Sequence, residues 1–150
     1  MAEAGRVEAI YLRPAKSEPL EQRERVRAVA RRGLEGDYKL ETRMDEPDRS
    51  LTLIEQAAYD HLAAQGLEVE LGAIRRNLVT SGIALNDLVG KRFSVGGVEC
   101  LGTELCHPCN HIQDMTRPGV LKALADRGGL CAEILSDGEI AVGAAVEPLD

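Results

Sequence analysis

The stretch "KRFSVGGVECLGTELC", residues 91–106, sets two runs of β-favouring residues on either side of a Gly-Gly pair. Alternation of this kind belongs to a strand with one covered face. Adjacent glycines supply the positive φ values of a tight turn, so the segment predicts a hairpin. The same grammar recurs at "CAEILS", "DG", "EIAV", residues 131–142, where Asp-Gly predicts a type I′ turn and a second hairpin. Fifteen glycines, a tenth of the 150 residues against a usual ~7%, fit a chain of many tight strand connections.

The remaining segments extend this pattern. Residues 6–12, "RVEAIYL", alternate Val7, Ala9 and Tyr11 against Arg6, Glu8 and Ile10, which predicts a strand with the first set buried; Pro14 ends it, and "PAKSEP" reads as a loop. Residues 20–33 fit either an alternating strand or a short helix ending at Gly33, and the Val26, Ala28, Ala30 alternation favours the strand. Leu51 to Ile54 reads as a strand that runs into "EQAAYDHLAAQG", a helix closed by Gly66. "RPGVLKALADRGG" predicts a short helix with Pro118 in its first turn and a Val120, Leu121, Leu124 stripe. The expected architecture is a mainly β (β-rich α+β) single domain over residues 1–150, a barrel with two or three short peripheral helices.

A chain of this length buries roughly two-thirds of its unfolded surface and folds without metal or disulfide staples. There is no Trp and one Phe, so the core must be aliphatic, and aromatic platforms for single-stranded nucleic acid are not expected. The formal net charge of −7 also argues against nucleic acid as a partner. The charge is uneven: residues 1–44 hold 10 Lys/Arg and 8 Asp/Glu, a net of +2, and the other 106 hold 8 and 17, a net of −9. Any anion site is therefore expected in the N-terminal third. No apolar run approaches the ~20 residues of a membrane span, and the N-terminus lacks the design of a signal peptide, so no membrane association is expected and a cytoplasmic location is the default. In that compartment Cys100, Cys106, Cys109 and Cys131 are expected as thiols, metal ligands or catalytic groups rather than structural disulfides.

"CHPCNH", residues 106–111, is the densest chemical cluster. Four readings fit it. A structural zinc site needs four ligands, and only one C-x-x-C pair exists, so Cys100, His111 and Cys131 would have to complete it from irregular spacings. A thioredoxin-like pair should follow a strand and open a helix in a βαβ frame, whereas the surrounding pattern reads as β. Two partly buried thiols with an incidental histidine form the third reading. A single thiolate presented to a cofactor metal is the fourth, with His107, His111 or backbone amides available to stabilise it. Elsewhere, Arg75, Arg76 and Asn77 precede a Val-Thr-Ser-Gly turn and suit a phosphate or polar heterocycle, and Lys16 and Ser17 in the "PAKSEP" loop suit phosphate.

Taken in order, "PAKS", "RGLEGD", "RSLTLIE", "LGAIRRNLVTSGIALNDLVGKRF", "GTELCHPCNHI" and "PGVLKALADRGGLCAEILSDGEIAVG" resemble the MOSC domain, the module named after the C-terminal domain of molybdenum cofactor sulfurases, in a stand-alone bacterial-type form. The resemblance implies a MOSC-like β-barrel and the pyranopterin molybdenum cofactor, resident or in transit, and not pyridoxal phosphate. It places Cys109 as the catalytic thiolate and metal ligand, with Cys106 in a supporting role. It gives Arg75 and Asn77 contacts to the cofactor, and Lys16 and Ser17 its phosphate. Where many relatives read Gly-Asp-Arg, this chain has Gly36-Asp37-Tyr38, with Lys39 as the nearest replacement cation; where many read Val-Gly-Asp, it has Val142-Gly143-Ala144. The function implied is reduction of N-hydroxylated or N-oxide-type small-molecule substrates with electrons from a flavin or iron–sulfur partner protein. A sulfur carrier holding a persulfide on Cys109, or a cofactor-handling module, is the alternative, and a zinc or thiol-redox module centred on Cys106 and Cys109 is the third.

Overall fold

A computed structural model describes residues 5–14, 20–37, 47–106 and 110–149. Lys16, Ser17, Tyr38, Lys39, His107 and Cys109 lie outside the described residues.

Eleven strands are described: β1 (Gly5–Leu12), β2 (Glu21–Arg23), β3 (Arg25–Val29), β4 (Gly33–Leu34), β5 (Leu51–Glu55), β6 (Leu78–Ser81), β7 (Arg92–Val95), β8 (Val98–Leu105), β9 (Leu130–Ile134), β10 (Gly138–Ala141) and β11 (Ala145–Pro148). Three short helices accompany them: α1 (Gln56–Ala64), α2 (Asn110–Met115) and α3 (Val120–Ala123). The main sheet runs β11-β7-β8-β9-β5-β6-β1-β2, and β11 also pairs with β1, so seven strands close into a barrel and β2 hangs on the outer end of β1. Closure leaves no bare edge among those seven strands. A second sheet, β10-β3-β4, lies beside it. The expected β-barrel with short peripheral helices is the observed fold.

Inside the barrel an aliphatic cluster gathers Val7, Ile10, Leu12, Leu51, Leu53, Leu78, Phe93, Val95, Val98, Cys100, Leu130, Ala132 and Ile134. Outside it, Ala9, Tyr11, Ile54, Val79 and Ile74 on or beside the sheet pack against Ala58, Tyr59 and Leu62 of α1, Ile112 of α2, and Val120 and Leu124 at α3. Removing a fully buried leucine such as Leu53 leaves a cavity worth about 3 kcal/mol.

Two bulges redirect the alternation. In β1 the register against β6 shifts between Val7 and Ala9, so Val7 faces the barrel interior but Ile10 and Leu12 do so afterwards. The expected set of Val7, Ala9 and Tyr11 is therefore split: Ala9 and Tyr11 turn outward under the helices, and Ile10, expected on the opposite face, is fully buried inside. In β8 the register against β9 shifts between Gly102 and Glu104. An extra residue reverses which parity points inward.

The hairpin β7–β8 forms as expected, with Gly96 and Gly97 at φ +56° and +90°. The second hairpin does not. β9 pairs with β8 and β5, while β10 crosses to pair with β3 in the other sheet. Gly138 and Asp137 do not take positive φ. Instead an Asp137 carboxylate oxygen accepts the Ala30 amide at 2.7 Å, and the Ile134 carbonyl accepts the Arg31 amide at 2.7 Å. The side chain that made Asp-Gly a turn signal is used to fasten the β3–β4 turn. The 20–33 segment forms β2 and β3, divided at Glu24, and then a turn at residues 30–32; of the "VTSG" segment read as a turn, Val79–Ser81 belong to β6, a central strand parallel to β5, and Gly82 follows it at φ +76°.

Helix α1 ends as expected, with Gly66 at φ +74° after the last turn. Helix α3 is a single turn; Pro118 lies ahead of it and Gly119, at φ +97°, is its N-cap. Its first amides are satisfied from α2, where the Gln113 side-chain oxygen accepts from Gly119 and Leu121 at 3.3 and 3.1 Å. Helix α2 was not expected from the residue pattern. The C-x-x-C segment thus lies between a strand and a helix, but β8 and β9 are antiparallel, so the βαβ frame of a thioredoxin-like site is not formed.

Candidate functional site

The parity change in β8 decides where its thiols go. Before the bulge, Val98 and Cys100 point into the barrel; after it, Glu104 and Cys106 point outward. On β9 the interior positions are Leu130, Ala132 and Ile134, so Cys131 between them is also outward. On β5, Thr52 pairs with Cys131 and faces the same side. Arg49, Thr52, Arg76, Glu104, Leu105, Cys106 and Cys131 line one cleft of about 230 Å³. The chain enters the Cys109 segment directly from this cleft at Cys106.

Within it the sulfurs of Cys106 and Cys131 stand 2.7 Å apart, with no disulfide between the two. The Cys106 amide donates to the Gly129 carbonyl at 2.8 Å, fixing the strand end that carries the thiol. Gly129 sits at φ +112° with its Cα hydrogens against the Leu53 carbonyl, which excludes a side chain there. The Arg76 Nε donates to the Gly128 carbonyl at 2.8 Å, so the "RGG" loop holds both the guanidinium and the thiol strand. Arg49 pairs with the Glu104 carboxylate at 2.7 Å on the exposed rim, a contact worth under about 1 kcal/mol.

Asn77 adjoins the cleft through Thr52 and is 2% exposed. Its carbonyl oxygen accepts from the Thr52 hydroxyl and amide at 3.1 and 3.3 Å, and its amide group donates to the Tyr11 carbonyl at 3.1 Å and to an Asp37 carboxylate oxygen at 2.9 Å. Its backbone amide donates to the Thr52 hydroxyl at 3.0 Å. One side chain therefore ties β1, β5 and the loop after β4 together, with every polar position engaged inside the protein. Asp37, 5% exposed, also accepts the Arg13 backbone amide at 3.1 Å and faces the Arg13 guanidinium at 3.5 Å.

Arg75 is held at φ +66°, a left-handed conformation that costs a non-glycine residue about 1–2 kcal/mol. It lines a different cleft, with Tyr11, Leu20, Gln22 and Gly72, while its neighbour Arg76 lines the thiol cleft. The loop before it is anchored by Tyr59, whose hydroxyl oxygen accepts from the Gly72 and Ile74 amides at 3.1 and 3.4 Å. Burial pushes the Tyr59 phenol up to about 12.

Of the residues singled out from sequence, Arg75 and Asn77 are described but face different surroundings, and Cys109, Lys16 and Ser17 lie outside the described residues. Of the cleft residues, Arg76 was named with Arg75 and Asn77 as a contact for a phosphate or polar heterocycle and Cys131 as a ligand completing the zinc alternative, while Thr52 and the anchor Asp37 were not singled out for the site. Asp37 had a signal in the Gly-Asp pair after β4; the contact of Cys131 with Cys106 had none, since it is made by strand pairing across 25 residues. Among the described residues no group of three or more His, Cys, Asp or Glu is arranged to hold a metal ion. No helix among them is long and apolar enough to cross a membrane.

The barrel is similar to that of the YuaD protein from Bacillus subtilis, with a TM-score of 0.81 at 16% identity over 97% of this chain and 95% of that one. It is also similar to YiiM from Escherichia coli (TM-score 0.71, 19% identity, 100% and 70% covered) and YiiM from Geobacillus stearothermophilus (0.72, 15%, 97% and 75%). No curated protein matches the chain in sequence. The model of the MOSC domain matches residues 41–147, which run from before β5 through the thiol cleft to β11, and the chain therefore belongs to the MOSC domain family, a family associated with binding of the molybdenum cofactor.

Proposed function

We propose that the chain binds the molybdenum cofactor beside the β5, β8 and β9 cleft and reduces N-hydroxylated or N-oxide-type small molecules, with electrons from a separate flavin or iron–sulfur protein. The observation that carries this reading is the donor set of the cleft: thiols at Cys106 and Cys131, the hydroxyl of Thr52 and the guanidinium of Arg76, on strands fixed by the Gly128–Gly129 loop. Soft sulfur suits a dithiolene-held metal, and the guanidinium suits an anionic or carbonyl edge of the cofactor. When bound, the cofactor supplies the two-electron oxygen-atom chemistry that ordinary side chains lack.

The residues divide the work. Cys109, three positions beyond the cleft thiol Cys106, is the proposed metal ligand and catalytic thiolate, and Lys16 with Ser17 takes the phosphate. Arg75 holds a polar edge of the pterin from its own cleft. Asn77 acts through its neighbours: its amide sets the Thr52 hydroxyl and the Asp37 carboxylate, which makes it a positioning residue for the wall of the site. Partner electrons have to arrive from outside.

Elemental analysis of freshly purified protein from a cofactor-competent host, beside Cys109→Ala, tests this. Molybdenum near one atom per chain that falls away in the variant is expected. Molybdenum retained by the variant would remove Cys109 as ligand, and none in the wild type would move the function to the sulfur-carrier or cofactor-handling alternative.

A further inference from the structure

The C-x-x-C spacing directs attention to Cys106 with Cys109; among the described residues, the sulfur that touches Cys106 belongs to Cys131 on the neighbouring strand. Their 2.7 Å separation is only about 0.7 Å beyond a covalent sulfur–sulfur bond. Both thiols are 7% exposed, and both open onto the same cleft, which admits a small solute from the rim formed by Arg49 and Glu104. The third described thiol, Cys100, is fully buried in the barrel interior.

We propose that Cys106 and Cys131 are a redox-reactive thiol pair, which hydrogen peroxide converts to a disulfide and a dithiol reductant reopens. The first sulfur, as thiolate, attacks a peroxide oxygen; the O–O bond breaks, a sulfenic acid forms and the departing hydroxide takes up a proton as water. The second sulfur then attacks the sulfenic sulfur, the S–O bond breaks, the S–S bond forms and a second water leaves. Two electrons pass from the thiols to the peroxide, and two waters are its product. Reduction returns both protons and electrons through a mixed disulfide with the reductant.

Closure would bolt the end of β8 to the start of β9 on the outer face and take both thiols out of the cleft, so the cleft would present soft sulfur donors only when reduced. This pairing is independent of molybdenum and holds whichever reading of the cofactor is correct.

The test treats the full-length chain, its molybdenum content measured alongside, with one to a few equivalents of hydrogen peroxide, blocks remaining thiols with an alkylating reagent and maps peptides by mass spectrometry under non-reducing conditions. The expected result is a peptide pair joined through Cys106 and Cys131, lighter by two hydrogens, released by dithiothreitol and still formed in Cys109→Ser. It should be lost in Cys106→Ser and in Cys131→Ser. A first disulfide between Cys106 and Cys109, a sulfinic acid on Cys106 with no cross-link, or no loss of either thiol would overturn the pairing.

Discussion

Strand β8 carries two cysteines in opposite worlds. Cys100 lies before the bulge, fully buried among Phe93, Val98 and Ile134, and burial pushes its thiol up to about 12. Cys106 lies after the bulge, on the outer face, against a second sulfur and beside a guanidinium. The residue type is the same and the strand is the same; one inserted position between Gly102 and Glu104 separates a packing group from a chemical one. A sheet closed into a barrel has an inside that only fills and an outside that can work, and the bulge moves a side chain from one to the other.

The largest effect that could break this comparison is in thiol labelling. Cys106 and Cys131 should react with a small alkylating reagent from the native state, whereas Cys100 must wait for the barrel to open, a difference of about a thousandfold or more in rate for a domain of ordinary stability. Site-resolved mass spectrometry over time measures it, and equal rates would mean that the interior assignment of Cys100 is wrong. Next comes the wall of the cleft. Asn77→Leu keeps the volume but takes one donor from the Asp37 carboxylate and the side-chain partner from the Tyr11 carbonyl and the Thr52 amide, and should cost about 3 kcal/mol in urea unfolding. A loss below about 1 kcal/mol would show that the junction is not structural. The pivot follows: a Cβ on Gly102 would overlap the Leu88 carbonyl oxygen, so Gly102→Ala should cost about 2 kcal/mol by the same measurement, and a neutral result would mean that the strand can shift away from Leu88.

How far the sequence discloses this arrangement depends on how local each signal is. The β7–β8 hairpin is legible because its turn and both strands are contiguous, and α1 because nine helical residues and Gly66 suffice to show period and stop. The second hairpin misleads because Asp137 spends its carboxylate on Ala30, more than a hundred residues away in the chain. The interior of β1 is misassigned because a bulge is one residue without a composition of its own. Helix α2 is too short, at six residues, to display a period, and among its described side chains the buried apolar one is Ile112. In the site, the "RRN" run announces that polar groups gather there, but which arginine meets the thiols is set by the left-handed backbone at Arg75, which no alternation reports.

The smallest effect sharpens the same contrast through pH. A thiol raised from 9.0 in the open chain to about 12 in the barrel binds its proton more tightly when folded. Its contribution to stability is then complete below pH 9 and is lost progressively as the pH rises toward 12, because the unfolded chain ionises first. At pH 10 the loss from Cys100 is on the order of 1 kcal/mol relative to neutral pH. Tyr59, raised from 10.0 to about 12, adds a loss of the same sign that begins one unit higher. Urea midpoints taken from pH 7 to 10.5 should therefore fall in the wild type. Cys100→Ala should start lower by the lost packing but fall less steeply, since Tyr59 and Tyr11, both raised by burial, still titrate between the two states while the thiol no longer does. Parallel slopes would place the Cys100 thiol in contact with solvent, and the division of β8 into an inert and a reactive half would fail at its inert end.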